Sequence, residues 1–109
     1  MKNYVIAALS GAALILSGQL MAADLDAGKS KAAEVCASCH GADGNSPAPA
    51  FPKIGGQYRS YIEKALNDYK SGHRKDPVMA GMAANLTAKD IANLAFYYSS
   101  LPGNLNSNK

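Results

Sequence analysis

The chain has 109 residues, 48% of them hydrophobic and 17% charged, and its formal charge is +3. That length holds one small domain rather than two, and a domain this size often leans on a covalent or metal staple. The charge is mild, with no basic run and no basic-aromatic interleaving, which argues against nucleic acid as a partner.

The chain opens on an apolar segment. Lys2 is the only charge before Asp24, and residues 4–16 are almost entirely apolar or small. The run ends in "QLMAAD". A basic start, an apolar stretch of roughly 7–15 residues and a small-residue end describe a secretory signal peptide. The stretch falls short of the roughly 20 residues a membrane span needs. Cleavage is expected after Ala22 or Ala23, although Leu20 or Met21 is an imperfect residue three places upstream. The expected division is 1–23 as cleaved signal peptide, 24–102 as the domain and 103–109 as a flexible tail. Losing Lys2 leaves ten basic and eight acidic residues, a formal +2. Export predicts the periplasm, no permanent membrane span, and a compartment where cysteines are free to oxidise.

Three helices and no strand follow, which predicts an all-α domain. The first covers about Asp26 to Cys39, capped by Asp24 or Asp26 and filled with alanine. The second covers about Gln57 to Ser71, where Tyr58, Tyr61, Ile62, Ala65, Leu66 and Tyr69 recur on one face and Gly72 stops the run. The third starts at Thr87, where "TAKD" is a variant capping box. Ile91, Leu94, Ala95 and Tyr98 form its buried stripe, and Pro102-Gly103 ends it. The first two helices are separated by "GADGNSPAPAFPKIGG", whose four glycines and three prolines read as a turn-rich loop. The last two are separated by "GHRKDPVMAGMAANL", read as irregular. Loops this long in a small domain are usually functional. They make sense wrapped around something large, flat and apolar.

The only two cysteines stand in "VCASCH", residues 35–40. A structural zinc site wants four ligands in closely spaced pairs, and His73, the only other histidine, has no companion. A dithiol-disulfide motif belongs at the start of a helix after a strand, whereas this pair ends a helical stretch. Haem attachment fits better. Cysteines at i and i+3 project to one side of a helix, where their thiols can add to the two vinyl groups of a porphyrin. His40 then lies beneath the iron, and Cys-x-x-Cys-His is the signature of covalent c-type haem. For the opposite face of the iron the candidates are Met79, Met82 and His73, and spacing alone does not choose between the methionines. Met/His ligation suits an electron carrier.

With these motifs in place the chain resembles the class I c-type cytochromes, and within them single domains of the periplasmic dihaem cytochromes and their small monohaem relatives. The resemblance rests on "AGKSKAAEVCASCHGADGNSPAPAFPKIGGQY", on "MAGMAANLTAKDIANLAFYYSSL" and on the helix between them. It implies a small class I fold, with three main helices and long loops wrapped around one covalently bound haem c. Cys36 and Cys39 would carry the thioethers, and His40 would be the proximal ligand. Met79 stands at the place of the distal methionine, with Met82 the runner-up. Pro49 stands where the family's proline carbonyl accepts the hydrogen bond of the proximal histidine. Gly28 stands where the first helix packs against the last, and Ala32 replaces an aromatic common at that contact. Tyr61 and Arg59, with Gln57 and Tyr58, are placed to reach the haem propionates.

An iron with both axial positions filled has no open site, which suits electron transfer rather than catalysis. The expected function is a soluble periplasmic monohaem cytochrome, not an enzyme. It would pass single electrons from a donor dehydrogenase or quinol-oxidising complex to an acceptor oxidase or reductase. The alternative is a haem-bearing, electron-accepting subunit of a larger dehydrogenase complex. A small haem enzyme or ligand sensor would require Met79 to leave the iron. Lys29, Lys31, Lys53, Lys64 and Lys70 are candidates for steering an acidic partner. A monomer is expected.

Overall fold

The computed structural model describes Lys2, residues 10–12 and residues 22–105. The expected signal peptide, apart from those few positions, and residues 106–109 of the expected tail lie outside the described residues. Among the described residues every regular element is helical: α1 (Leu25–Lys31), a π-helical turn (Ala32–Cys36), α2 (Ala37–His40), α3 (Arg59–Ser71), α4 (Pro77–Ala83) and α5 (Ala88–Ser100).

The first three elements run on from one another and form the helix expected over Asp26 to Cys39. Asp24 caps α1, its carboxylate accepting the Ala27 N–H at 3.0 Å. The π turn was not legible. It widens the helix directly ahead of the cysteines, with the Ala37 N–H reaching back to the Ala32 carbonyl. Gly41, at φ 82°, turns the chain out of α2.

α3 starts at Arg59 rather than Gln57. Gly56 has φ 79° and Tyr58 is extended, so the helical conformation begins only after them. Gly72, at φ 84°, ends α3 as expected. The stretch between α3 and α5, read above as irregular, contains α4. Asp76 caps α4 by accepting the Met79 N–H at 2.9 Å, and Pro77 occupies the first turn, where its missing donor costs nothing.

α5 carries the expected capping box. Thr87 Oγ1 accepts the Asp90 N–H at 3.0 Å, and Asp90 Oδ2 accepts the Thr87 N–H at 2.9 Å. Its stripe of Ile91, Leu94, Ala95 and Tyr98 is buried. α1 crosses α5 at Gly28, where an added Cβ would sit 2.2 Å from the Asn93 carbonyl oxygen and 2.9 Å from Tyr97 Cβ. Ala32 packs beside this crossing and is 3% exposed. Asn93, also buried, takes the Asp24 N–H on its side-chain oxygen at 2.7 Å, tying the start of the domain to its last helix. This α1–α5 pair, with Ile62, Ala83 and Leu86, forms the core. Tyr61, Ala65, Leu66 and Tyr69 of α3 and Val78, Met79 and Met82 of α4 face a crevice.

Candidate functional site

The widened turn and α2 deliver Cys36, Cys39 and His40 to one wall of that crevice. Both cysteines are free and partly buried. His40 is 7% exposed, and its Nδ1 lies 2.8 Å from the carbonyl oxygen of Pro52. A carbonyl only accepts, so Nδ1 carries a proton, and in the neutral ring the lone pair needed to bind a metal then sits on Nε2. The expected partner, Pro49, does not make this bond. A turn closed by the Phe51 N–H on the Ala48 carbonyl (3.1 Å) places Pro49 at an exposed corner. Pro52 follows that turn. It is held from the far side by the Ile54 and Gly55 N–H groups, both 2.8 Å from the Gly44 carbonyl.

The crevice consists of two adjoining cavities of about 220 and about 210 Å³. Cys36, His40, Pro52, Tyr69 and Met79 line both, so the cavities are halves of one cleft. Met79 is therefore the methionine that shares both halves with His40. Met82 lines only the second half and is 46% exposed. His73 lines neither, is exposed, and pairs with the Ser71 hydroxyl at 2.8 Å. Among the described residues no group of three or more His, Cys, Asp or Glu is arranged to hold a metal ion directly. Zinc therefore lacks its donor set there.

The walls suit a flat apolar group. Ile62, Leu66, Leu94 and Ile54 line the first half, and Val35, Phe51 and Val78 the second. Tyr98 is 2% exposed and its hydroxyl has no hydrogen-bond partner of acceptable geometry. That hydroxyl nonetheless acts on the Cys36 thiol. Burial pushes the thiol up while Tyr98 pulls it down, and burial together with Cys36 pushes the Tyr98 hydroxyl up. A buried polar atom left unpartnered beside a thiol, on the wall of an apolar cleft, fits a site made for a bound group.

The polar rim departs from expectation. Tyr61 lines the first half, as does Gln57. Arg59 does not. It pairs with Glu63 at 3.2 Å and lies over the Phe96 ring at 5.1 Å. A glutamate one helical turn along competes for Arg59 and holds it away from the crevice. Arg74 takes its place on the wall. It donates to the Tyr61 hydroxyl at 3.3 Å and stacks on the Tyr69 ring at 4.8 Å. The Tyr61 bond also holds the Arg74 guanidinium firmly protonated. Of the steering lysines, Lys31 pairs with Glu34, Lys64 with Asp68, and Lys70 donates to the Leu86 carbonyl. Lys53 lines the crevice.

A family model described as cytochrome c matches residues 25–102. The chain is 51% identical over 79 residues to cytochrome c4 of Pseudomonas aeruginosa, covering 72% of this chain and 39% of that protein. It is 42% identical over 82 residues to cytochrome c-554(548) of Halomonas halodenitrificans, covering 72% of this chain and 98% of that protein. Among solved structures, reduced recombinant cytochrome c4 from Pseudomonas stutzeri superposes with a TM-score of 0.71 at 44% identity, covering 76% of this chain and 48% of that one. The chain thus spans about half the length, or less, of the cytochrome c4 relatives it matches and nearly all of the c-554(548) relative.

Proposed function

The chain belongs to the cytochrome c family, and on that premise we propose that residues 24–102 form the haem-bearing domain of an exported, soluble electron carrier. The observation that carries this reading is the convergence of Cys36, His40 and Met79 on both halves of one apolar cleft. Bound there, haem c supplies a one-electron ferric-ferrous couple. Cys36 and Cys39 would hold it covalently. His40 would offer Nε2 to the iron, and Pro52 fixes its ring by accepting from Nδ1. Met79 would offer its thioether as the second protein ligand. Asp76 supports that role by taking the Met79 N–H into the cap of α4. The apolar walls would keep water from the iron and favour the less charged ferrous state. With both axial ligands supplied by the chain, the iron would have no open position, which suits a carrier. Its donors and acceptors are redox proteins, and its compartment is the periplasm.

A second reading, the haem subunit of a larger dehydrogenase, is favoured by one feature. Phe51 (39% exposed), Val78 (56%) and Met82 (46%) leave an apolar rim on the second half of the cleft.

The test is purification from a strain competent for haem attachment, followed by a redox titration and size-exclusion chromatography. The carrier is expected to gain the mass of one haem, titrate as a single one-electron couple and elute alone. It should not bind carbon monoxide at neutral pH. Stoichiometric elution with a larger chain would replace the carrier with the subunit. Ready carbon monoxide binding would overturn the Met79 assignment.

A further inference from the structure

Tyr98 carries a buried donor without an acceptor. Its side chain is 2% exposed, and its hydroxyl has no hydrogen-bond partner of good geometry among the described residues. A polar group buried in that state costs stability and needs an explanation. The ring is not free to turn elsewhere. The Tyr97 ring lies against it, 5.2 Å between centroids, and a Cβ on Gly44 would stand 3.0 Å from Tyr98 Cδ1. The Tyr98 carbonyl accepts the Gly56 N–H at 2.9 Å.

Tyr98 lines the first half of the cleft, and side-chain acceptors there are few. His40 Nδ1 donates to Pro52, the Gln57 side-chain oxygen takes the Tyr58 N–H at 2.8 Å, and Tyr61 and Tyr69 face Arg74. The sulfurs of Cys36 and Met79 remain, and Met79 is committed to the iron in the reading above. Cys36 is the group on which Tyr98 acts: burial raises the pKa of the thiol, and the hydroxyl opposes that rise. A thiol can donate or accept, whereas a thioether only accepts. Attachment of the ring at Cys36 would therefore leave Tyr98 as the donor of the pair and the sulfur as its acceptor. Cys39 is placed differently. It lines only the second half, and the hydroxyl near its sulfur is that of Ser38, at 3.9 Å.

Resting on the haem-carrier reading above, we propose that Tyr98 is a positioning residue for the haem: its hydroxyl donates to the Cys36 sulfur, fixes that thioether and raises the reduction potential. A buried hydroxyl dipole with its proton toward the ring edge disfavours the more positive ferric state.

The experiment compares holoprotein of the wild type, Tyr98→Phe and Tyr97→Phe. Tyr97 is the control, since its hydroxyl is also in a buried residue but donates to the Ala42 carbonyl at 3.2 Å, away from the cleft. Proton NMR of the ferrous wild type is expected to show a slowly exchanging hydroxyl proton close to the Cys36 β-protons, and Tyr98→Phe should lose it. At a fixed applied potential, Tyr98→Phe should lower the reduced-to-oxidised ratio a few-fold while the red iron-sulfur band persists. Tyr97→Phe should leave the ratio unchanged. Thermal unfolding should find Tyr98→Phe less stable than the wild type. An unchanged ratio with a raised unfolding temperature in Tyr98→Phe would overturn the proposal, since the hydroxyl would then lack an acceptor in the holoprotein as well. Equal shifts in Tyr97→Phe and Tyr98→Phe would also overturn it, since loss of any nearby hydroxyl would then serve. Failure of the carrier reading itself would look different: a wild type without a low-spin haem spectrum.

Discussion

His40 Nδ1 donates to the carbonyl of Pro52, across 2.8 Å, and not to that of Pro49, three residues earlier. A histidine whose far nitrogen donates to an acceptor is a more basic ligand, which favours ferric iron. Replacing Pro52 by glycine keeps the carbonyl but frees its backbone. We expect a loss of roughly 0.4–1 kcal/mol in stability and a rise in reduction potential. Pro49→Gly should leave the potential unchanged. Chemical denaturation and a redox titration of the two variants check the pair.

Asp76 links the cap of α4 to Met79 through the bond to its N–H. Asp76→Ala removes the cap at a cost of about 1 kcal/mol and frees the turn that presents the thioether. The expected result is a weaker red band in ferric protein and faster uptake of added cyanide. Asp76→Asn, which still caps, should restore both.

Gly28 admits no side chain. The atom a Cβ would strike, the Asn93 carbonyl oxygen at 2.2 Å, belongs to the backbone of α5 and cannot swing aside. Gly28→Ala must push the helices apart, which by analogy with overpacked cores costs roughly 1–3 kcal/mol. A lowered urea midpoint at unchanged slope is expected.

The capping box of α5 predicts an acid-side dependence. The Thr87 N–H holds the Asp90 carboxyl below its ordinary value of 3.8. A lowered folded pKa gives stability that is present above the unfolded value and lost as pH falls through the folded one. The stability difference between wild type and Asp90→Asn should therefore be constant from neutrality to about pH 4 and shrink below it. Thr87→Ala should cost about 1 kcal/mol at neutral pH. Unfolding curves at several pH values measure both.

Much of the frame was legible because its signals are local. Thr87 and Asp90 announce the start of α5, and Ile91, Leu94, Ala95 and Tyr98 repeat at helical spacing. Cys36, Cys39 and His40 carry their chemistry in their spacing. α4 was missed although Asp76-Pro77 is a cap followed by a first-turn proline. Seven residues are too few for a period, and Gly81 interrupts them. The π turn left no sign, since its alanines, glutamate and valine suit an ordinary helix as well. Pro52 over Pro49 depends on a turn at residues 48–51, which three closely spaced prolines do not reveal. Arg59 turns from the cleft to its i,i+4 partner Glu63, a pair the sequence spacing allows but does not impose. Arg74 reaches the cleft only through the fold of the α3–α4 connection.

His40 and Met79 are the two residues proposed to hold the iron together. The most direct measurement is the red absorption band of ferric protein, sensitive to iron-bound sulfur, in wild type, Met79→Ala and Met82→Ala. We predict the band in wild type and in Met82→Ala. In Met79→Ala we predict its loss, together with a lowered reduction potential and binding of carbon monoxide. A band that survives in Met79→Ala and disappears in Met82→Ala would contradict the account.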